Sequence, residues 1–170
     1  MKEKSLAIQA GILASAGLTT KIIGFVYRIP MANILGNTGN GIYSVAFGIY
    51  GIVLTLSSYS MPISVSKLVS EKAAVGSKED SIKVFRVAML VSVIVGALAA
   101  MGLYFGADGL AGVYNKTGLE MPLKVLAPTT FIVSVLGCFR GYFQGYGNMV
   151  PTALSQIIEQ IINAVVSIIA

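Results

Sequence analysis

The run Arg86-Val87-Ala88-Met89-Leu90-Val91-Ser92-Val93-Ile94-Val95-Gly96-Ala97-Leu98-Ala99-Ala100-Met101-Gly102-Leu103-Tyr104-Phe105-Gly106-Ala107-Asp108 holds 21 uncharged residues between two charges. About 20 apolar residues in a helix cross the hydrocarbon core of a bilayer. The run therefore reads as one membrane-spanning helix, with the helix itself expected over 82–105. The rest of the composition agrees. Hydrophobic residues make up 55% of the 170 and charged residues 11%, against about 25% charged in a typical soluble protein. Mean hydropathy is +0.81. So few charges cannot clothe a soluble surface, and charge this low also argues against disorder. The expected fold class is all-α, a polytopic membrane helix bundle.

Four more helices follow from the same reading. Arg28 and Lys67 enclose 38 uncharged residues, too many for one span. Gly36-Asn37-Thr38-Gly39-Asn40-Gly41 interrupts them as a turn. Helices are expected over 5–35, 42–68, 122–142 and 150–170. Pro30 removes a hydrogen bond from the first and marks the expected kink. Ala14-Ser15-Ala16 fits a signal-cleavage pattern, but hydrophobicity resumes at Ile22, which reads as a continuing anchor. The apolar end Ile168-Ile169-Ala170 leads us to expect a chain cut short, with the remainder of a full-length protein as its partner. A complete five-helix protein is the other reading.

Orientation follows from Lys and Arg. A cytoplasmic N-terminus puts Lys2, Lys4, Lys67, Lys72, Lys78, Lys83, Arg86 and Arg140 inside and only Lys116 and Lys124 outside. The positive-inside rule favours that topology. It also explains the net charge of +5 by the bilayer surface, and no nucleic-acid face is expected.

Many chemistries are excluded. There is no His and one Cys, Cys138. A Cys/His zinc site, a His-dependent catalytic centre and an intrachain disulfide are therefore ruled out. No G-x-x-x-x-G-K-[ST] phosphate loop occurs, and the glycines at 36–41 follow no strand. Asn115-Lys116-Thr117 matches a glycosylation sequon, a match short enough to arise by chance. The reading is of a non-enzyme without a cofactor.

Small residues recur at four-residue spacing: Ser44, Gly48, Gly51 and Thr55; Ser92, Gly96 and Ala100; Gly137, Gly141 and Gly145. Such ridges let helices approach closely in lipid and predict packing, not a ligand site. Two other patterns point to chemistry. Lys21, Gly24 and Arg28 share one face of the first helix. A cation at mid-membrane costs about 2.5–3.5 kcal/mol by insertion scales and persists where it faces protein or water. Either the pair forms an anion site, or Arg28 snorkels to the interface and Lys21 pairs with an acid. Thr152, Gln156, Glu159, Gln160, Asn163 and Ser167 form a polar stripe on the fifth helix. It is either a cavity wall or a hydrogen-bonded seam, with Glu159 the one acid inside an expected span. The candidate binding residues are Lys21, Arg28, Gln156, Glu159, Gln160 and Asn163.

Three stretches carry a family resemblance. They are Lys21-Ile22-Ile23-Gly24-Phe25-Val26-Tyr27-Arg28-Ile29-Pro30, Pro62-Ile63-Ser64-Val65-Ser66-Lys67-Leu68-Val69-Ser70-Glu71, and Phe139-Arg140-Gly141-Tyr142-Phe143-Gln144-Gly145 with Ser155-Gln156-Ile157-Ile158-Glu159-Gln160 after it. They resemble the polysaccharide biosynthesis and stage V sporulation protein B family of Gram-positive bacteria, within the multidrug/oligosaccharidyl-lipid/polysaccharide exporter superfamily. The resemblance implies the N-terminal lobe of a MATE-like two-lobe fold. It implies a flippase in the bacterial cell membrane that moves undecaprenyl-pyrophosphate-linked oligosaccharide or peptidoglycan precursor by alternating access. The expected partners are that lipid-linked substrate, the bilayer and the rest of the transporter. Lys21 matches a basic position that lipid II flippase relatives carry before a Gly-Phe pair. Two alternatives stand beside this: a drug/cation antiporter of the same superfamily, and a non-transporting scaffold in spore or cell-wall assembly.

Overall fold

Pro62, Pro122 and Pro151 each fall in the first turn of a helix. In the computed structural model, which describes the backbone of residues 2–169 and the side chains of 7–165, every element is helical. The order is α1 (Lys2–Ser57), α2 (Ser60–Ala74), α3 (Lys78–Val113), α4 (Glu120–Gly145) and α5 (Val150–Ile169). Three helical stretches among the described residues are long and apolar enough to cross a membrane: Ala7–Ala74, Lys78–Val113 and Glu120–Gly145.

Local chemistry explains the boundaries. Ser77 caps α3: its hydroxyl accepts from the Asp80 backbone N–H at 3.3 Å and donates to the Asp80 carboxylate at 2.9 Å. Glu79 and Asp80 in the first turn complement the helix dipole. The connection between the helices expected over 42–68 and 82–105 shrinks to 75–77, because α2 continues to Ala74 and α3 opens at Lys78. At the other end of α3, Asn115 takes φ 49°, a left-handed conformation that asparagine tolerates.

Two expectations about breaks are corrected. The backbone stays helical through Pro30, and Gly36 leaves the helical region instead, with φ 63° and ψ −174°. The turn expected over 36–41 is thus compressed into one residue. The second helix, expected unbroken over 42–68, is broken at Ser58 and Tyr59. Pro62 has no N–H to give the Ser58 carbonyl, which takes the Met61 N–H instead at 3.2 Å.

The chain divides into two compact units. One combines the chain through Thr38 with the chain from Gly147; the other is Gly39–Tyr146. In the second unit, Gly41 lies at Lys116, Ser58 at Ser134, Pro62 at Gly137, Val65 at Gly141 and Val69 at Gly145. Residue numbers rise together, so 41–69 runs parallel to α4. Gly96 meets Ser134, and Asp108 binds Lys124 at 2.8 Å. Numbers run oppositely there, so α3 is antiparallel to α4.

Packing in this unit follows the small residues unevenly. A β-carbon on Gly141 would stand 2.7 Å from Val65 Cβ and 2.8 Å from the Pro62 carbonyl oxygen. One on Gly145 would stand 2.6 Å from Val69 Cβ. Those glycines let two backbones touch. Gly48 and Gly51, expected to do the same, meet nothing within 4 Å. A buried hydroxyl chain, Ser57–Ser58 at 3.0 Å and Ser58–Ser134 at 2.7 Å, lies at the break. Apolar clusters form on either side of it, one including Leu54, Leu103 and Leu123, the other Val65, Val69 and Cys138. The outward faces carry exposed Leu98 and Phe105, as expected where lipid is the solvent.

Candidate functional site

All six nominated residues lie in the discontinuous unit, on residues 2–35 of α1 and on α5. Two contacts fix the register of these helices. The Gln9 side-chain oxygen accepts from the Met149 backbone N–H at 2.9 Å. The Gln160 side-chain nitrogen lies 3.0 Å from where a β-carbon on Gly24 would be. Again numbers rise together, so the two helices run parallel. Gln9 satisfies an N–H that helix geometry leaves without an intrahelical acceptor. The Asn148 side chain serves the next one, accepting from Val150 N at 3.2 Å.

Between these two contacts the interface is apolar. A cavity of about 200 Å³ is lined by Ile12, Ser15, Ala16, Thr19, Val150, Ala153, Leu154 and Ile157. Its two hydroxyls are committed to the helix backbone, Ser15 to the Ile12 carbonyl and Thr19 to the Ser15 carbonyl, each at 2.9 Å. None of the nominated residues lines it.

Chemistry gathers one step further along. Gly24 stands between Lys21 and Arg28 on one helix face, at i+3 and i−4. The Gln160 amide packs against that glycine, which joins the cationic face of α1 to the polar stripe of α5. Gln156 and Gln160 are half-buried, and Glu159 and Asn163 are exposed, as are Lys21 and Arg28. Arg28 and Glu159 are engaged in further interactions. Lys21 forms no ion pair or hydrogen bond among the described residues. The expected alternative in which Lys21 pairs with an acid is therefore not found there. Thr152 is buried, and its carbonyl accepts the Ser155 hydroxyl at 2.9 Å. Ser167 lies outside the described side chains.

Ammonium, guanidinium and carboxamide all donate hydrogen bonds, and the first two carry full positive charge. A face built from them suits an anion. Among the described residues no three Cys, Asp or Glu gather where a metal could bind. Sequence reasoning did not nominate Gln9, although it is the one polar side chain between Leu6 and Ala14. It also passed over Ser57-Ser58, a tandem hydroxyl pair beside Pro62.

Known proteins similar to this chain include one named as a membrane protein. The chain is 30% identical over 152 residues to stage V sporulation protein B of Bacillus subtilis (strain 168), covering 89% of this chain and 29% of that protein. It is 32% identical to the uncharacterized membrane protein YabM of the same organism, over 92% of this chain and 29% of that protein. It is 29% identical to the lipid II flippase MurJ of that organism, over 91% of this chain and 30% of the relative. The chain thus spans about three-tenths of the length of these relatives. No solved structure matches it significantly. The family model described as polysaccharide biosynthesis protein matches residues 6–170, and the chain belongs to that family.

Proposed function

We propose that this chain forms the N-terminal lobe of a MATE-like flippase in the bacterial cell membrane. The transported class is a lipid-linked oligosaccharide pyrophosphate, such as an undecaprenyl-linked sugar or peptidoglycan precursor, moved by alternating access. Lys21 is the observation that carries the reading: a cation without a partner among the described residues, on a membrane helix, beside a glycine against which the Gln160 amide packs. An intramembrane cation is retained where it does something. Pyrophosphate supplies the negative charge that Lys21 and Arg28 would hold, with Gln156, Gln160 and Asn163 donating further hydrogen bonds and Glu159 at the edge.

Five crossings with a cytoplasmic N-terminus accompany this reading. The parallel pairing of 2–35 with α5 supports it. Two parallel spans require the chain between them to cross an odd number of times, and the two parallel stretches and one antiparallel helix of 41–145 supply three. The relative named lipid II flippase supports the substrate class.

Complementation tests the proposal in the full-length protein. The Lys21→Ala, Arg28→Ala double variant should lose translocation by at least tenfold at unchanged membrane abundance. Normal complementation by that variant at wild-type abundance would rule out the anion site.

A further inference from the structure

The compact unit Gly39–Tyr146 carries its surplus charge at one end. Helices α2 and α4 finish there, and α3, running the other way, begins there. The Ser77 backbone N–H, ahead of α3, donates to the Lys72 carbonyl of α2 at 3.2 Å and ties the two helices together at that end. Six cations gather there, Lys67, Lys72, Lys78, Lys83, Arg86 and Arg140, against three acids, Glu71, Glu79 and Asp80. The opposite end is balanced, with Lys116 and Lys124 against Asp108 and Glu120.

The two ends also differ in how their cations are satisfied. At the balanced end Lys124 donates to both Asp108 carboxylate oxygens, at 2.8 and 3.0 Å, and Lys116 donates to the Gly41 carbonyl at 3.3 Å. At the basic end Lys83 pairs with Asp80 at 3.2 Å, and Arg140 is engaged as well. The side chains of Lys67, Lys72, Lys78 and Arg86 are exposed and form no ion pair or hydrogen bond among the described residues.

Aromatic rings mark the depth of this end. The Phe85 ring lies 5.4 Å from Phe139 and 4.8 Å from Tyr142, and Tyr142 lies 5.2 Å from Tyr146. Phe139, Phe143 and Tyr146 are exposed. Such rings gather at the headgroup level of a bilayer. Arg86 adjoins Phe85 in the chain, and Lys67 falls between Val65 and Val69, which meet Gly141 and Gly145. Lys72 and Lys78 lie further out, at the join of α2 and α3. The unpartnered cations thus stand at the depth of lipid phosphates.

We propose that the basic end of this unit binds the headgroups of anionic phospholipids. Lys67, Lys72, Lys78 and Arg86 take the phosphates, and the exposed rings lie against the glycerol and upper acyl chains. Clusters of about four to eight Lys or Arg beside a membrane helix attract anionic lipid, each residue adding to the attraction. A free phosphate or a soluble acidic partner would answer the charge but leave the rings uncovered. The surface lies wholly within one compact unit, and it stands whether or not the chain serves a flippase.

Full-length protein in nanodiscs of equal parts phosphatidylglycerol and phosphatidylcholine tests it. Lipid that stays bound after transfer to detergent, read by native mass spectrometry, should be enriched in phosphatidylglycerol. The combined Lys67→Gln, Lys72→Gln, Lys78→Gln, Arg86→Gln variant should lower that enrichment by about fivefold or more. Its thermal midpoint in phosphatidylcholine alone should match that of the unaltered protein, as an intact fold requires. If the combined variant unfolds, Arg86→Gln alone should still lower the enrichment by about twofold. Lys116→Gln with Lys124→Gln, at the balanced end, should leave it unchanged. Equal retention of the two lipids by the unaltered protein would overturn the proposal and indicate that the rest of the full-length chain covers these cations. So would enrichment that persists in the combined variant. Release of the lipid by excess inorganic phosphate would overturn the lipid assignment in favour of a general phosphate site.

Discussion

The side-chain amide of Gln160 lies 3.0 Å from the point where Gly24 would carry a β-carbon. That single approach joins two sequence patterns 136 positions apart. A small residue is needed there for room, and no unusual φ is involved. Gly24→Ala should be accepted, because the end of a flexible glutamine side chain can yield by a few tenths of an ångström. Gly24→Leu should displace Gln160 and cut translocation by at least tenfold. Gln160→Ala should rescue part of the Gly24→Leu loss by vacating the space. Absence of any rescue in complementation would show that the contact does not limit the site.

Charge exchange separates an anion site from an ion pair. Because Lys21 has no acidic partner among the described residues, Lys21→Ala should leave membrane abundance equal or higher. It removes a cation that costs about 2.5–3.5 kcal/mol in the bilayer by insertion scales. Lys21→Glu should abolish translocation, and adding Glu159→Lys should restore neither activity nor abundance. Lys21→Arg should be tolerated. Recovery of abundance in the exchanged variant, read by quantitative immunoblot, would establish the pair.

The glycines of α4 divide by what faces them. Gly141→Ala drives a β-carbon onto Val65 and the Pro62 carbonyl, and overpacking of this kind costs about 1–3 kcal/mol. For a chain of this size each kcal/mol lowers the thermal midpoint by about 2–4 °C. Gly48→Ala should show no such loss. Thermal unfolding in detergent checks both, and equal midpoints for the two variants would contradict the close packing of α2 on α4.

Topology has a direct readout. In a Cys138→Ala background, a cysteine at Ser77 should label only after the membrane is permeabilised. A cysteine at Thr117 should label in intact cells. The eight-to-two distribution of Lys and Arg sets this expectation, and the opposite labelling pattern would reverse the orientation.

Much of the fold was legible because charges cluster at helix ends. Arg86 and Asp108 bracket the apolar heart of α3, and Glu120 opens α4, much as the sequence suggests. The breaks were harder to read. Proline is well tolerated in a first turn, so Pro62 did not announce that the turn ahead of it would open. Pro30 removes one hydrogen bond without leaving the helix, whereas Gly36 reaches a conformation closed to other residues. The cationic face and the polar stripe were legible from spacing alone. Their meeting at Gly24 was not, nor was the role of Gln9, because both depend on the register of helices up to 140 positions apart.

The discontinuous unit has a consequence for how the protein is made. Gly39–Tyr146 is one uninterrupted stretch and can assemble as soon as it leaves the ribosome. The helix bearing Lys21 emerges before that stretch and its partner α5 after it. About 110 residues separate its end from the start of α5, a delay of about 5–20 s at ordinary rates of synthesis. Throughout that interval the Gln9 and Gly24 positions of the first helix have no α5 to meet. The contacts that set the register of this pair are therefore the last of the described contacts to form during synthesis.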